Sequence, residues 1–457
     1  MPKINLKFLK KIKKNISENK KRYLIISGIL ILAIILVSGI AYSLVRAHQQ
    51  KNLKKETVNQ TKNIYVDFLM EVYDTIQQNY WNKITDEQLT NLYKLAAQKL
   101  LGQEQNLPSA DKNGLTQMIE GITKNMDETK KKEFSAQIAN LVLVNLQPFG
   151  RSALYTQQLE QQLTEKVKNI NPENDLYKTL GVGTDASQEE LDKVYQEKLK
   201  ELEPQQNTSA EAKDQLEKIK YAYNVLSDAQ SKQTYDTTKS EPTVLGKLMS
   251  PEILYLAITK ISPTTLDDLK READKFDKGE NLNTLILDLR GNIGGSLDML
   301  QYLLGPFIGP NRYAFEIFQQ GNYDPFKTKF GWLPSMVRYK KVAVLIDGKT
   351  QSSAEVMATA LKEYNVGVLV GTKTKGWGTI EKVYELKNQI TDSEKYSVFL
   401  VNHLTVRDDM LPIEENGVEP VVNTGDANWK KQLSEYFDNN NIIKAVESAL
   451  KSEPGKI

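Results

Sequence analysis

From Tyr23 to Val45 the chain carries no charged side chain and is built mainly from Ile, Leu, Val and Ala. A helix needs about 20 such residues to cross a bilayer core, so a transmembrane helix is expected over 23–46. Before it, residues 1–22 hold Lys3, Lys7, Lys10, Lys11, Lys13, Lys14, Lys20, Lys21 and Arg22 against Glu18 alone. Such an excess of positive charge keeps a flank in the cytoplasm, which sends everything after the span outside. The apolar run exceeds the roughly 7–15 residues of a secretory leader core. A single-pass, uncleaved anchor in the cell membrane is therefore expected; a leader cleaved near Ala41 is the alternative. Arg46, Lys51, Lys54 and Lys55 make the far flank basic as well, which narrows the charge asymmetry without reversing it.

No second stretch of comparable apolarity follows, so the remainder is expected to form water-soluble domains. Net charge is +2 with 26% charged residues, and nothing in that balance calls for a nucleic acid partner. The absence of cysteine excludes disulfides, thiolate metal sites and cysteine nucleophiles together. No cluster of histidines and carboxylates has ligand spacing, so neither a metal nor an organic cofactor is expected.

Residues 51–170 predict a helical domain. Tyr65, Phe68, Leu69, Val72, Tyr73 and Ile76 recur at the helical period, and Asp86 stands where an N-cap would open the next helix. A loop is expected from Gly102 to Gly114, and a break at Pro148 and Gly150. Residues 250–425 instead alternate strands with helices. Thr284–Leu289, Val342–Ile346 and Val366–Val370 are short continuous apolar runs, the pattern of strands buried on both faces. Between the last two, Val356, Met357, Ala360 and Leu361 mark one helical face. The tail, 426–457, predicts amphipathic helix. The fold class is thus α/β and multidomain: a transmembrane helix, a helical region, a small helical module at 174–240 and an α/β core.

That small module opens on Leu176-Tyr177-Lys178-Thr179-Leu180-Gly181-Val182, has Ala186-Ser187 before an acidic turn at Glu189 and Glu190, and closes on Tyr221-Ala222-Tyr223-Asn224-Val225-Leu226-Ser227-Asp228 and Tyr235-Asp236. It resembles the J domain of co-chaperones. The resemblance places a His-Pro-Asp tripeptide between the two central helices, the element that stimulates a DnaK-type ATPase. Here the loop reads Glu203-Pro204-Gln205. A DnaK-type partner is therefore not expected, and a structural or substrate-docking role is.

Four segments of the α/β core resemble the C-terminal processing peptidases, also called tail-specific proteases. Leu287-Asp288-Leu289-Arg290-Gly291-Asn292-Ile293-Gly294-Gly295 is similar to that family's strand and glycine-rich turn, and Asp347–Val356 to its nucleophile segment. Val368–Thr379 is similar to the segment with the catalytic lysine, and Gly417-Val418-Glu419-Pro420 to the closing motif. Val72–Leu92 and Leu146-Gln147-Pro148-Phe149 resemble the family's N-terminal helical part. A PDZ module that captures substrate C-termini usually follows; here the J-like module takes its place. The resemblance implies a serine peptidase fold acting on polypeptide.

The residues themselves support a site at the same place. Ser352 falls between a buried strand and a helix, where backbone N–H groups beginning with Ser353 can stabilise an oxyanion. Gly294 and Gly295, lacking Cβ, allow a second backbone segment to approach. Without the resemblance, a serine N-cap beside a tight glycine turn is the reading these residues favour.

The family's base is a lysine, and an ungapped comparison places it 25 residues after the serine, at Trp377. An indole only donates a hydrogen bond. Lysine and aromatic residue look exchanged, since Lys375 stands where the family commonly has an aromatic. Positions two apart on an extended chain share a side, displaced by roughly 6.6 Å, which makes Lys375 the candidate replacement. A histidine base would have to be His48 or His403. Glu363 and Glu381 stand where the family often has aspartate and glutamine. The expectation is a membrane-anchored peptidase homologue that is weakly active or inactive, with two alternatives: an endopeptidase using Ser352 and Lys375, and a J-module adaptor.

Overall fold

The computed structural model describes residues 63–206, 208–277, 281–407 and 409–455. The apolar span at 23–46, its basic flank and His48 lie outside these residues. Among the described residues, no helix is long and apolar enough to cross a membrane.

Four helices come first: Ile64–Asn79 (α1), Asp86–Leu101 (α2), Lys112–Thr123 (α3) and Glu128–Val144 (α4). The N-cap of α2 is Thr85, not Asp86. Thr85 and Gln88 form a reciprocal capping box, and Asp86, the first helical residue, accepts the Tyr73 hydroxyl at 2.7 Å. The stretch expected to be helical up to residue 170 contains a strand, Ala153–Thr156 (β1), before helix Gln157–Val167 (α5). β1 pairs with a strand more than two hundred residues later, and the helices share one apolar core with Leu386, Ile390, Val398 and Leu400. The helical part is thus built onto the α/β core.

The small module has helices Leu176–Leu180 (α6), Gln188–Leu202 (α7), Ala210–Ser227 (α8) and Ala229–Thr238 (α9) around its own core of Leu180, Leu191, Leu216, Ala222 and Leu226. Its two ends are pinned together. Ile170 and Ser240 form a β-bridge, and Glu241 accepts from Asn174 at 2.9 Å and from Tyr221 at 2.6 Å. Glu203–Gln205 form an exposed 3₁₀ turn.

The core holds strands Val244–Ser250 (β2), Ile253–Ile258 (β3), Thr284–Asp288 (β4), Tyr313–Gln319 (β5), Asn322–Lys327 (β6), Lys341–Ile346 (β7), Val368–Gly371 (β8), Thr379–Glu385 (β9), Tyr396–Thr405 (β10) and Val422–Asn423 (β11), with helices Thr265–Phe276 (α10) and Ser353–Glu363 (α11). The main sheet has the order β11-β8-β7-β4-β3-β2, parallel except for β2. Side chains alternate across it. Leu254, Leu256, Leu285, Leu287, Val344 and Ile346 meet α10 and α11 on one face. Tyr255, Ile286, Ala343, Leu345 and Val370 meet the tail helices Trp429–Tyr436 (α12) and Asn440–Lys451 (α13) on the other. Both faces are covered, which is why these strands read as unbroken apolar runs. Arg290 locks the tail in place: it pairs with Asp288 at 2.6 Å and donates to the Ala449 carbonyl at 2.8 Å. The second sheet is antiparallel, with β10 flanked by β9 on one side and by β1 and β5 on the other, and β6 beyond β5.

Candidate active site

The loop after β7 turns sharply into α11, and Ser352 sits at the junction with φ 58° and ψ −132°. Side-chain-bearing residues populate this region sparsely, at a strain of about 1–3 kcal/mol. Such strained strand-to-helix turns present a serine hydroxyl outward. Neighbouring segments hold the turn. Gln351 donates its N–H to the Asn292 carbonyl at 2.9 Å. A Cβ on Gly294 would lie 2.7 Å from Ser352 Cβ and 3.0 Å from the Ser353 nitrogen, so only glycine lets the two loops meet.

Glu355, on the first turn of α11, ties the rest together. Its buried carboxylate accepts from the Ser352 N–H at 2.9 Å, the Thr374 hydroxyl at 2.5 Å, the Gly376 N–H at 2.8 Å and the Trp377 N–H at 2.8 Å. Thr374 in turn accepts the Val418 N–H at 2.7 Å. Burial pushes the Glu355 carboxyl above the ordinary range, and the four donors pull it back. All four segments singled out in the sequence therefore converge on one hydrogen-bonded network around Ser352.

Of the expected oxyanion donors, Ser353 is the first helical residue, and its N–H has no acceptor, as the first turn of a helix requires. Gly295 also keeps its N–H free, because the flanking bonds to Ile261 use Gly294 O and Ser296 N. Gly294 differs: its N–H is already given to Asn292 Oδ1 at 2.8 Å.

Trp377, at the position expected for the base, sits in a stack. The Arg151 guanidinium lies 3.3 Å from the centroid of the Trp377 ring, and the indole lies beside Glu381, whose pKa it lowers. Arg151 also pairs with Glu414 at 3.0 Å, both largely buried, while the other oxygen of Glu414 accepts the Gly378 N–H at 2.7 Å. Burial raises the pKa of Glu381, opposed by the Thr379 hydroxyl at 2.5 Å, by Trp377 and by Arg151.

Residues 252–424 match the sequence profile described as Peptidase family S41, and residues 175–236 that of the DnaJ domain. Over these residues the α/β core matches the S41 peptidases. Carboxy-terminal processing protease CtpB of Bacillus subtilis (strain 168) is 26% identical over 220 residues, covering 46% of this chain and 44% of that protein. Carboxy-terminal processing protease CtpA of the same organism is 27% identical over 195 residues, covering 42% and 38%. The chain thus spans less than half the length of these relatives. Among solved structures, photosystem II D1 C-terminal processing protease is similar at 18% identity and a TM-score of 0.34, over 40% of this chain and 48% of that one.

Within the S41 core, the exchanged-lysine expectation meets a different geometry. Lys375 is exposed, its side chain makes no hydrogen bond or ion pair, and only its backbone N–H is engaged, with the Thr350 carbonyl at 2.9 Å. Glu355 grips the next two N–H groups and Gly376 adopts φ +76°, so the chain bends between 375 and 377 and the extended-strand argument does not apply. His403 is buried on β10 opposite Ile380, and no hydrogen bond joins it to Ser352. Sequence reasoning did not single out Arg151, Glu414 or Glu355. For Glu355 a signal existed: Ser352-Ser353-Ala354-Glu355 has the serine-to-glutamate spacing of a capping box. Arg151 and Glu414 lie 263 positions apart, and no local pattern links them.

His403 supplies a test of pH dependence. Burial, then Lys382, lower its pKa to about 4 from an ordinary 6.5, and its Nδ1 has no partner. The folded chain keeps it neutral while the unfolded chain takes up a proton below pH 6.5, so stability is present above that pH and lost on the way down to 4. Denaturation midpoints of the parent are expected to fall more steeply between pH 7 and 4 than those of His403→Gln. Parallel curves would show that His403 contributes nothing to acid sensitivity.

Proposed function

We propose that this chain is a membrane-anchored S41 peptidase homologue, with its folded part outside the cytoplasm, that binds extended polypeptide and hydrolyses it weakly or not at all. The observation that carries the reading is the Arg151–Trp377 stack. It puts an indole, which cannot accept a proton, at the position of the base, while Lys375 points to solvent. A strained Ser352 beside unoccupied N–H groups favours a second reading, residual endopeptidase activity with Lys375 as base.

The full-length chain in detergent micelles, incubated with an unfolded protein beside its Ser352→Ala and Lys375→Ala variants, separates the two. No cleavage above the Ser352→Ala background is expected. Cleavage by the parent that both substitutions abolish would establish the endopeptidase instead. Orientation is tested by tags at each terminus: in intact cells, only the C-terminal one should be reachable by an added protease.

A further inference from the structure

Two stretches of the core, 299–315 and 325–346, contain no acidic residue, and the fold joins them on one surface. Thr328 makes the join. Its hydroxyl donates to the Gly309 carbonyl at 2.6 Å, its N–H to the Arg312 carbonyl at 2.8 Å, and its carbonyl accepts the Asn311 N–H at 3.0 Å. Beside it the Trp332 ring lies on Gly309, where a Cβ would come within 2.5 Å of the indole. The chain then turns back: Leu333 gives its N–H to the Pro306 carbonyl, and Met336 is buried in the core under α10 and α11. Trp332 and Val337 are left 52% and 45% exposed.

Cations surround this apolar surface. Arg312, Lys327 and Lys329 are exposed and pair with no carboxylate among the described residues. Lys329 stands over the Tyr302 ring, 5.6 Å from its centroid. Two other basic groups are engaged, Arg338 with Asp277 and Lys270 with Asp267 at 3.4 Å. An anionic bilayer surface suits both components. Indole and phenol rings settle at the level of lipid headgroups, and basic side chains there meet lipid phosphates while their stems cover apolar surface.

We propose that this face rests on the anionic lipid headgroups of the membrane that anchors the chain. Trp332 and Val337 enter the interface, and Arg312, Lys327 and Lys329 meet the phosphates. The inference rests on the membrane-anchored reading above and adds the surface that touches the bilayer. From residue 46, where the expected span ends, to residue 63, a fully extended chain reaches at most about 60 Å. The tether thus keeps a lipid surface at high effective concentration, an advantage that a diffusing acidic polypeptide lacks.

The test places the full-length chain in lipid nanodiscs with a nitroxide-bearing lipid as quencher and a fluorescent dye on Val337→Cys, which is unique because the chain has no other cysteine. The comparison site is Tyr436→Cys on α12, exposed and on the opposite face of the main sheet. In discs containing phosphatidylglycerol, the dye at 337 is expected to be quenched and the dye at 436 to stay bright. In pure phosphatidylcholine discs both should stay bright. Arg312→Gln/Lys327→Gln/Lys329→Gln should lower the ratio of docked to undocked chain about 100-fold, at roughly fivefold per cation, and high salt should act in the same direction. Quenching at 337 that is equal in the two lipids, matched at 436, or undiminished in the triple variant overturns the surface. A dye at 337 that stays bright on anionic discs also overturns it, and a response of that dye to added polyglutamate would assign the face to acidic polypeptide instead. In each of these cases the chain is in the disc, and the anchored reading stands. A chain that does not enter discs overturns that reading and the surface with it.

Discussion

The Trp377→Lys/Glu381→Gln double variant is expected to cleave an unfolded protein at least about 100-fold faster than the parent, the range general-base catalysis supplies, whereas Trp377→Lys alone stays within about tenfold of it. The backbone at 377 is already held by Glu355 at 2.8 Å, so a lysine introduced there starts from a fixed point beside Ser352's loop. Its pKa then decides the rate, because only the free amine accepts the serine proton. Arg151, which lies over the present indole, lowers that pKa by like-charge repulsion, though its pairing with Glu414 blunts the effect. Glu381 acts the other way. Its carboxylate, now beside the indole, would pair with the new ammonium and raise its pKa. Each unit of increase removes about tenfold of the free amine at pH values below it. Glutamine at 381 keeps an acceptor without the charge.

The pH profile carries the same sign. Cleavage by the single variant should rise with pH along a limb displaced upward relative to that of the double variant. Rates from pH 6 to 10, each against a Ser352→Ala version, check both points. Silence of a folded double variant would mean that the Ser352 turn does not hold catalytic geometry. A parent already as fast as the double variant would mean that Trp377 is not what disables the site.

The second large effect is on stability. Glu355→Ala is expected to destabilise the folded chain by about 3–5 kcal/mol, or roughly 10 °C in melting temperature at 2–4 °C per kcal/mol. The substitution strands three backbone N–H groups and the Thr374 hydroxyl, all now satisfied by one buried carboxylate, and it frees the strained turn at Ser352. Glu355→Gln keeps the volume and one acceptor oxygen but turns an NH₂ toward the remaining donors, so a smaller loss is expected. Chemical denaturation measures both. A loss below about 1 kcal/mol for Glu355→Ala would remove Glu355 as the organiser of the site.

How much of this was legible in the sequence depended on whether a feature is local. Thr284–Asp288 and Lys341–Ile346 announced themselves as buried strands because helices cover both faces of their sheet. The J-like module was legible because its aromatic and apolar positions repeat within two helices, and the loss of His-Pro-Asp at 203–205 was equally plain. The short strand Ala153–Thr156 was not, since its partner, β10, lies far along the chain and four residues carry too little pattern. The capping of α2 by Thr85 was missed by one position, within the usual imprecision of helix ends.

At the site, local order and the family resemblance were enough to nominate Ser352, Gly294, Gly295 and Trp377 at the position expected for the base. Those assignments depend on residue identity along one strand, turn or helix, which sequence records directly. The sequence could not decide what packs against Trp377 or where Lys375 points. Arg151 reaches Trp377 and Glu414 only because β1 joins the helical part to β10, and Lys375 turns outward only because Glu355, from another segment, grips the two N–H groups that follow it. Side chains far apart in the chain become neighbours through packing and hydrogen bonding, and that proximity, more than the residues considered singly, sets what Ser352 can do.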